Sequence, residues 1–266
     1  MTIPSTPSPS GLPEEVHVRP AASRREHEEA YRLVYRNYRA RGYAAKQDSA
    51  IRVSLHNALP QSITFVGVLR ETVIATVCLL PDTPIGLPMQ DIYSEEMERL
   101  RAQERTVTEV TMLADRRMEI QRTLPMLLQL MKLVFDYATL VLRANDLCIT
   151  INPRHDAFYK RYLLFDNLGE ERVYPSVENN PALARRLDLD RVREACANHR
   201  LLQHVFFEDR TPLDVLEGRY KWSCDDIRYF FLELTDTLAK APAHAVDYLR
   251  QVRPDCSWKD WLKGTS

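Results

Sequence analysis

Seven glycines in 266 residues, with none between Gly86 and Gly169, constrain this chain more than any other feature. A loop that cradles a nucleotide phosphate needs several glycines within a few residues, so that backbone N–H groups reach the anion with no Cβ in the way. Neither G-x-x-x-x-G-K-[ST] nor G-x-G-x-x-G can be written anywhere in the sequence. P-loop nucleotidases, kinases of the Gly-rich-loop type and Rossmann dehydrogenases are thereby excluded. Charge removes a further class. The 36 Lys+Arg against 37 Asp+Glu leave a formal charge of -1, without the basic excess of a general nucleic-acid binder.

Hydrophobic periodicity then sets the order of elements. Residues 1–13 carry four prolines and three serines and read as a disordered tail. A short strand over 14–19 precedes an S-x-x-E capping box at Ser23 and Glu26, which opens a helix running to about Arg41. Its apolar face is Tyr31, Val34, Tyr35 and Tyr38. Two β-rich runs, 63–69 and 73–80, flank a short turn and predict a hairpin. A helix over 91–103, a strand over 106–114 and a long apolar helix over 124–143 come next. A strand over 146–152, a short helix over 155–164 and strands over 172–177 and 182–189 complete the series. The expected fold is α+β, a mixed, mostly antiparallel sheet flanked by helices. Its globular domain spans 14–190, and an aromatic-rich helical extension spans 191–266.

Five cysteines, an odd number with no C-x-x-C pair, read as reduced thiols in a cytoplasmic protein. The N-terminus lacks the charged and apolar regions of a signal peptide. No stretch reads as the 18–20 apolar residues of a membrane span. Cys196, His199 and His204 have a ligand-like spacing but no completing pair, so no metal is expected. A G-x-S-x-G elbow is also missing.

Three segments carry a resemblance: LVYRNYRARGY (33–43), LPDTPIGLPMQDIYSEEMERLRAQERTVTEVTMLA (80–114) and HDAFYKRYLLFDNLGEERVYP (155–175). Together they resemble the N-acyl amino acid synthase family of the GNAT superfamily, related to acyl-homoserine-lactone synthases, over roughly residues 15–190. The resemblance implies the GNAT acyltransferase fold. It also implies transfer of a long fatty acyl group from acyl carrier protein to the amino group of an amino acid. Most GNAT enzymes carry R/Q-x-x-G-x-G/A where the long helix starts; here RRMEIQRTLPMLL (116–128) has no glycine. A donor whose phosphopantetheine bears one phosphate permits that loss, since no pyrophosphate needs holding. Acyl-CoA remains the alternative donor, and no resident cofactor is expected.

The resemblance also implies roles for individual residues. Glu109, mid-strand in an apolar run, stands beside the acceptor amine, to orient it or take its proton; the alternative is a strand carboxylate paired with an arginine such as Arg36. Tyr159 stands near the departing sulfur, or is simply a core aromatic. The donor is met by the backbone at Leu113 and Ala114, as oxyanion donors, and by Arg116, Arg117 and Arg122, a basic rim for an acidic carrier protein. The acceptor is met by Arg36, Tyr38, Arg41, Thr111 and Met112. By alternation Glu109 shares a face with Val107, Thr111 and Leu113. Met112 departs from the family, which usually has arginine three residues after the glutamate. That departure leaves open an acyl-homoserine-lactone-type enzyme, an acyl-CoA-dependent one, or a non-catalytic binder of acyl chains or acyl carrier protein.

Overall fold

The computed structural model describes residues 16–116, 120–197 and 199–261, without the side chains of 120–123, 200–201 and 204–205. The tail expected over 1–13 lies outside these residues.

Seven strands form one sheet: β1 (Val16–Pro20), β2 (Ile63–Leu69), β3 (Thr72–Pro81), β4 (Val107–Asp115), β5 (Asp146–Ile151), β6 (Asp166–Tyr174) and β7 (Asn180–Asp188). Their order is β1-β2-β3-β4-β5-β7-β6. Only β4 and β5 run parallel. Neighbours β1 to β4 are antiparallel, as are β5, β7 and β6. The β2–β3 hairpin turns through Arg70 and Glu71, both at positive φ (47° and 62°), the conformation a two-residue type I′ turn demands.

Helix α1 (Arg24–Ala40) is capped as its sequence predicts: the Ser23 hydroxyl accepts from the Glu26 amide. Helices α2 (Gln90–Ala102), α3 (Ile120–Asp136) and α4 (Asp156–Leu163) complete the sheet domain. The helix expected to reach 143 ends at Asp136 in a π-turn over Tyr137–Val141. Helices α3 and α4 pack one apolar cluster against the sheet, through Met126, Leu130, Val134, Tyr159 and Leu163 with Phe65, Val110 and Ile149. Helix α1 builds a second cluster with Val66, Cys78, Met112 and Ala114, and α2 a third with Leu80, Val107 and Cys148. Gly169 is required by this packing, since a Cβ there would lie 2.6 Å from the Tyr93 ring of α2.

The segment Leu124–Val141 is, by length and composition, apolar enough to cross a membrane, contrary to the expectation from sequence; half of it is buried inside the protein. Its sheet-facing side is the core of the first cluster, so its hydrophobicity is accounted for by packing on two sides.

After β7 come α5 (Val192–Ala195), α6 (Arg200–Phe207), α7 (Leu213–Glu217), α8 (Cys224–Arg228), α9 (Ala243–Val252) and α10 (Trp258–Trp261). Phe206 and Leu216 join the α3 cluster. Trp222, Phe230, Phe231, Leu249 and Trp258 join the α1 cluster. The extension therefore packs on both faces of the sheet, and its chain crosses beside β1, where the Tyr220 amide donates to Ala21 O at 3.2 Å. Cys224 and Cys256 form a disulfide, which corrects the expectation of five free thiols. They lie 32 positions apart in the sequence, so only the folded chain brings them together. Cys78, Cys148 and Cys196 are free and buried.

Candidate active site

Strand β4 makes the site by failing to stay regular. Opposite it, β3 pairs Thr76 with Ala114 and Cys78 with Thr111, so β4 holds one residue too many between those pairs. The excess is taken up at Met112, whose φ is +56°. This is a β-bulge, which turns two successive residues to one side and re-aims the rest of the strand. Its effect corrects the alternation read from the sequence: Met112 and Ala114 lie in the α1 cluster, while Leu113 packs toward α3. Asn37 on α1 fixes the strand beyond the bulge, donating from Nδ2 to Asp115 O at 2.7 Å and to Leu33 O at 3.2 Å.

The bulge coincides with a parting of strands. Strands β4 and β5 are paired only from Val107–Asp146 to Val110–Ile149, although both continue further. Two cavities meet at this gap. The first, about 510 Å³, lies toward α3 and α4, with Val110, Leu113, Met126, Leu127, Ile149 and Phe158 among its walls. The second, about 400 Å³, lies on the other side and contains Glu109, Arg52 and Tyr174. Tyr38, Tyr43, Thr111, Met112, Thr150, Ile151 and Asn152 line both. Both volumes suit small-molecule ligands.

Glu109 is 3% exposed. Its Oε2 accepts from the Met89 amide at 2.9 Å. Among the described residues no cation pairs with it, and Arg36 is exposed on α1 and lines neither cavity. Burial in a low-dielectric site pushes its carboxyl up to about 8, the Met89 amide pulling the other way and the nearby Asp91 adding to the rise. Such a group is suited to exchange a proton near neutrality.

Tyr159, 7% exposed on α4, lines the first cavity, and burial raises its phenol well above the ordinary range. It therefore stays protonated and able to donate a hydrogen bond. Tyr38 lines both cavities beneath the Arg52 guanidinium, 4.6 Å from the ring centroid. Thr111, Met112, Leu113 and Ala114 line the first cavity, the former two the second as well. At the position where the family has arginine, the Met112 thioether rests 3.7 Å from Cys78 Sγ and 3.8 Å from Asn57 Nδ2.

The basic residues are more scattered. Arg41 lines the mouth of the first cavity and donates to Asn37 Oδ1. Arg116 is exposed just past β4, its Nε donating to Val73 O at 3.0 Å, and lines neither cavity. Arg117 and the Arg122 side chain lie outside the described residues. Of the ligand-like trio, Cys196 is buried and His199 exposed, while the His204 side chain lies outside the described residues. The cluster with ligand geometry among the described residues is Cys224, Asp255 and Cys256, whose two sulfurs are joined to each other.

Sequence reasoning missed Arg52, Tyr174 and Thr150, all at the cavities. Arg52 sits in the irregular stretch 46–60, which has no periodicity to place it. Thr150 Oγ1 is buried with no hydrogen-bond partner among the described residues, a property that only the folded strand possesses.

An open mixed sheet with a bulged fourth strand, parted from the fifth between two cavities, is the GNAT arrangement. A family model for the N-acyl amino acid synthase FeeM matches residues 29–188, more than half of the chain. The protein belongs to the FeeM N-acyl amino acid synthase family. Among solved structures, FeeM, an N-acyl amino acid synthase from uncultured soil microbes, aligns with TM-score 0.60 at 28% identity, covering 70% of this chain and 98% of its own. The CoA-dependent acyl-homoserine lactone synthase BjaI gives 0.52 at 17% identity, covering 76% and 97%. The acyl-homoserine lactone synthase LasI gives 0.50 at 14%, covering 65% and 89%. At these last two identities the likeness concerns the fold. A sequence search of curated proteins found no match.

Proposed function

We propose that the protein transfers a long-chain acyl group from the phosphopantetheine thioester of acyl carrier protein to the α-amino group of an amino acid. The observation that carries this reading is Glu109. It is a buried carboxyl with no cationic partner among the described residues, in a cavity that meets an apolar one through the β4–β5 gap. The apolar cavity suits the acyl thioester and the one holding Glu109 suits the amine. FeeM is named an N-acyl amino acid synthase, and the glycine-free start of α3 favours a donor without a pyrophosphate. Such a donor puts the reaction in the cytoplasm.

An amine attacks a thioester carbonyl directly, so the reaction asks for positioning rather than a covalent intermediate. The α-ammonium first gives one proton to solvent, and as the N–C bond forms Glu109 in its ionised state takes a second from the attacking nitrogen. The carbonyl oxygen, becoming an oxyanion, is met by backbone N–H groups at Leu113 and Ala114. The C–S bond then breaks, and Tyr159 donates a hydrogen bond to the departing thiolate. A phenol held above its ordinary value of 10 stays neutral beside a thiolate of about 8.5, so Tyr159 stabilises the sulfur by that bond and solvent completes its protonation. The Arg116, Arg117 and Arg122 segment at the start of α3 would meet the acidic carrier protein. Arg41, at the mouth of the apolar cavity, moves in this reading from the acceptor to the donor side.

Incubating the protein with palmitoyl acyl carrier protein and the twenty amino acids, then searching by mass spectrometry for N-acyl amides, tests the reading. The expected result is an N-acyl amino acid that Glu109→Gln reduces at least a hundredfold, the range of a lost general base. Amide formed from palmitoyl-CoA as readily as from the carrier protein would reassign the donor. Carrier-protein binding without product would make the protein an acyl-binding relative, the reading that Met112 in place of arginine favours.

A further inference from the structure

We propose that Arg52 holds the acceptor's carboxylate, and that the turn Thr235–Thr237 of the C-terminal extension meets its side chain, so that the acceptor is a free α-amino acid sorted by the extension. This rests on the N-acyltransfer reading for its chemistry, but the subsite itself stands on geometry.

Arg52 is half-buried in the wall of the cavity that contains Glu109. Its guanidinium is fixed from two sides, stacked on Tyr38 at 4.6 Å and donating from Nη2 to Ser176 O at 2.9 Å. Yet among the described residues no carboxylate pairs with it. Most other arginines packed into the fold have a carboxylate, Arg101 with Asp82, Arg105 with Asp146, Arg172 with Glu96 and Arg185 with Asp156; Arg219, stacked on Tyr137 and donating to Pro60 O, shares the lack of one but lines a different cavity. A fixed, unpaired guanidinium in a cavity is a ready partner for a planar carboxylate, which it can bind with two parallel hydrogen bonds.

Glu109 is the matching half. The fields of both Glu109 and Arg52 reach the same two phenols, Tyr38 and Tyr174, with opposite effects on each. The cavity thus brings a carboxyl and a guanidinium near the same pair of aromatic rings. An α-amino acid carries an ammonium and a carboxylate in the complementary order, and a simple amine satisfies only the Glu109 end.

The remaining wall comes from beyond the family match, which ends at 188. Thr235, Asp236 and Thr237 line the cavity. They are held in place because Phe230 and Phe231, just before them, are buried against α1. Thr235 Oγ1 also donates to Phe230 O at 2.6 Å. Asp236 pairs with Lys240 at 2.5 Å, both largely exposed, and the hydroxyls of Thr235 and Thr237 lie 2.7 Å apart, so the wall is polar. Polar acceptor side chains fit it better than large apolar ones.

The test pairs each acceptor amino acid with its carboxamide. Binding to the acyl-donor-free protein is followed by calorimetry, and turnover with palmitoyl acyl carrier protein is followed by mass spectrometry. The wild-type protein should bind and acylate the free acid in preference to the carboxamide. Arg52→Met, which keeps an unbranched stem over Tyr38, should erase that preference by raising Kd and KM for the acid at least tenfold, as expected when a bidentate ion pair is lost. It should leave the carboxamide's KM and the kcat nearly unchanged. Arg52→Lys, which keeps the charge without the fork, should fall between and guards against a folding defect in the first variant. Thr237→Val should shift the preferred side chain toward apolar ones while leaving the acid-over-amide ratio intact. Equal handling of acid and carboxamide by wild type, or an unchanged ratio in Arg52→Met, would overturn the proposal. Acid-selective binding that depends on Arg52, with no product from any donor, would keep the subsite and remove the acyl-transfer reading instead.

Discussion

A carboxyl buried without a cation is costly, and Glu109 shows why it is tolerated. Between its ordinary value of 4.5 and about 8, the folded protein keeps a proton that the unfolded chain has released. Stability therefore falls as pH rises through that window and levels off above it. Glu109→Gln removes the titration while its amide oxygen can still accept from Met89. Urea unfolding should find the variant more stable than wild type by on the order of 3–5 kcal/mol at pH 8.5, with the gain vanishing below pH 4.5. Activity should run the other way, the wild-type kcat/KM rising with pH through about 8 as the carboxylate forms. Stabilisation that does not vary with pH would show that the carboxyl is not titrating in the fold. The one charged side chain in VTEVTML is legible in the sequence itself, because an unaccompanied glutamate in a largely apolar strand needs a reason. Its lack of a cationic partner among the described residues is not, since Arg36 has a plausible place in the sequence and the wrong side of α1.

Among the elements, β4 is where local pattern and fold disagree. The strand was legible from its alternation, and so were the hairpin β2–β3 and the cap at Ser23, because each depends on neighbours in sequence. The bulge at Met112 depends on β3 pairing across it, and nothing in TEVTMLAD marks which residue will be excess. Leu113 consequently faces α3 rather than sharing the face of Glu109. Asn37 is the tie that holds the displaced end of the strand. Asn37→Ala deletes its two donated hydrogen bonds at a buried site, which should cost about 1–3 kcal/mol in thermal or urea unfolding. It should also lower kcat more than it alters either substrate's KM, because it frees the backbone at Leu113 and Ala114. An unchanged kcat with the same loss of stability would detach the tie from the site. Arg52 eluded the sequence for a similar reason: residues 46–60 have no period, and the place of Arg52 is set by the Tyr38 ring and by Ser176, 124 residues further along the chain.

For the whole molecule the extension is the decisive addition. The aromatic clusters after Val192 signalled burial but not where. They divide between the two sides of the sheet, with Phe206 against α3 and Phe230 against α1. Ending the chain at residue 191 would uncover both clusters, and the expected outcome is an aggregating, dye-binding protein rather than a smaller active one. Within the extension, the Cys224–Cys256 bond closes a loop of 32 residues around the Thr235–Thr237 turn. Cys256→Ser should lower unfolding stability by about 3 kcal/mol. A shifted acceptor preference in the same variant would show that the loop's rigidity is felt at the cavity.

The opening between β4 and β5 also has a bearing on how a turnover ends. Two ligands that arrive from opposite sides of a sheet can bind in either order, but the amide that joins them belongs to both sides at once. In the proposed reaction its tail and head group would occupy different chambers, with the new bond in the slit where Thr111, Met112, Thr150 and Asn152 line both. Neither half can withdraw without drawing the other through. In the proposed reaction departure is thus a threading event led by the slimmer end, so enlarging the acyl chain and the amino acid together should slow escape more than enlarging either alone.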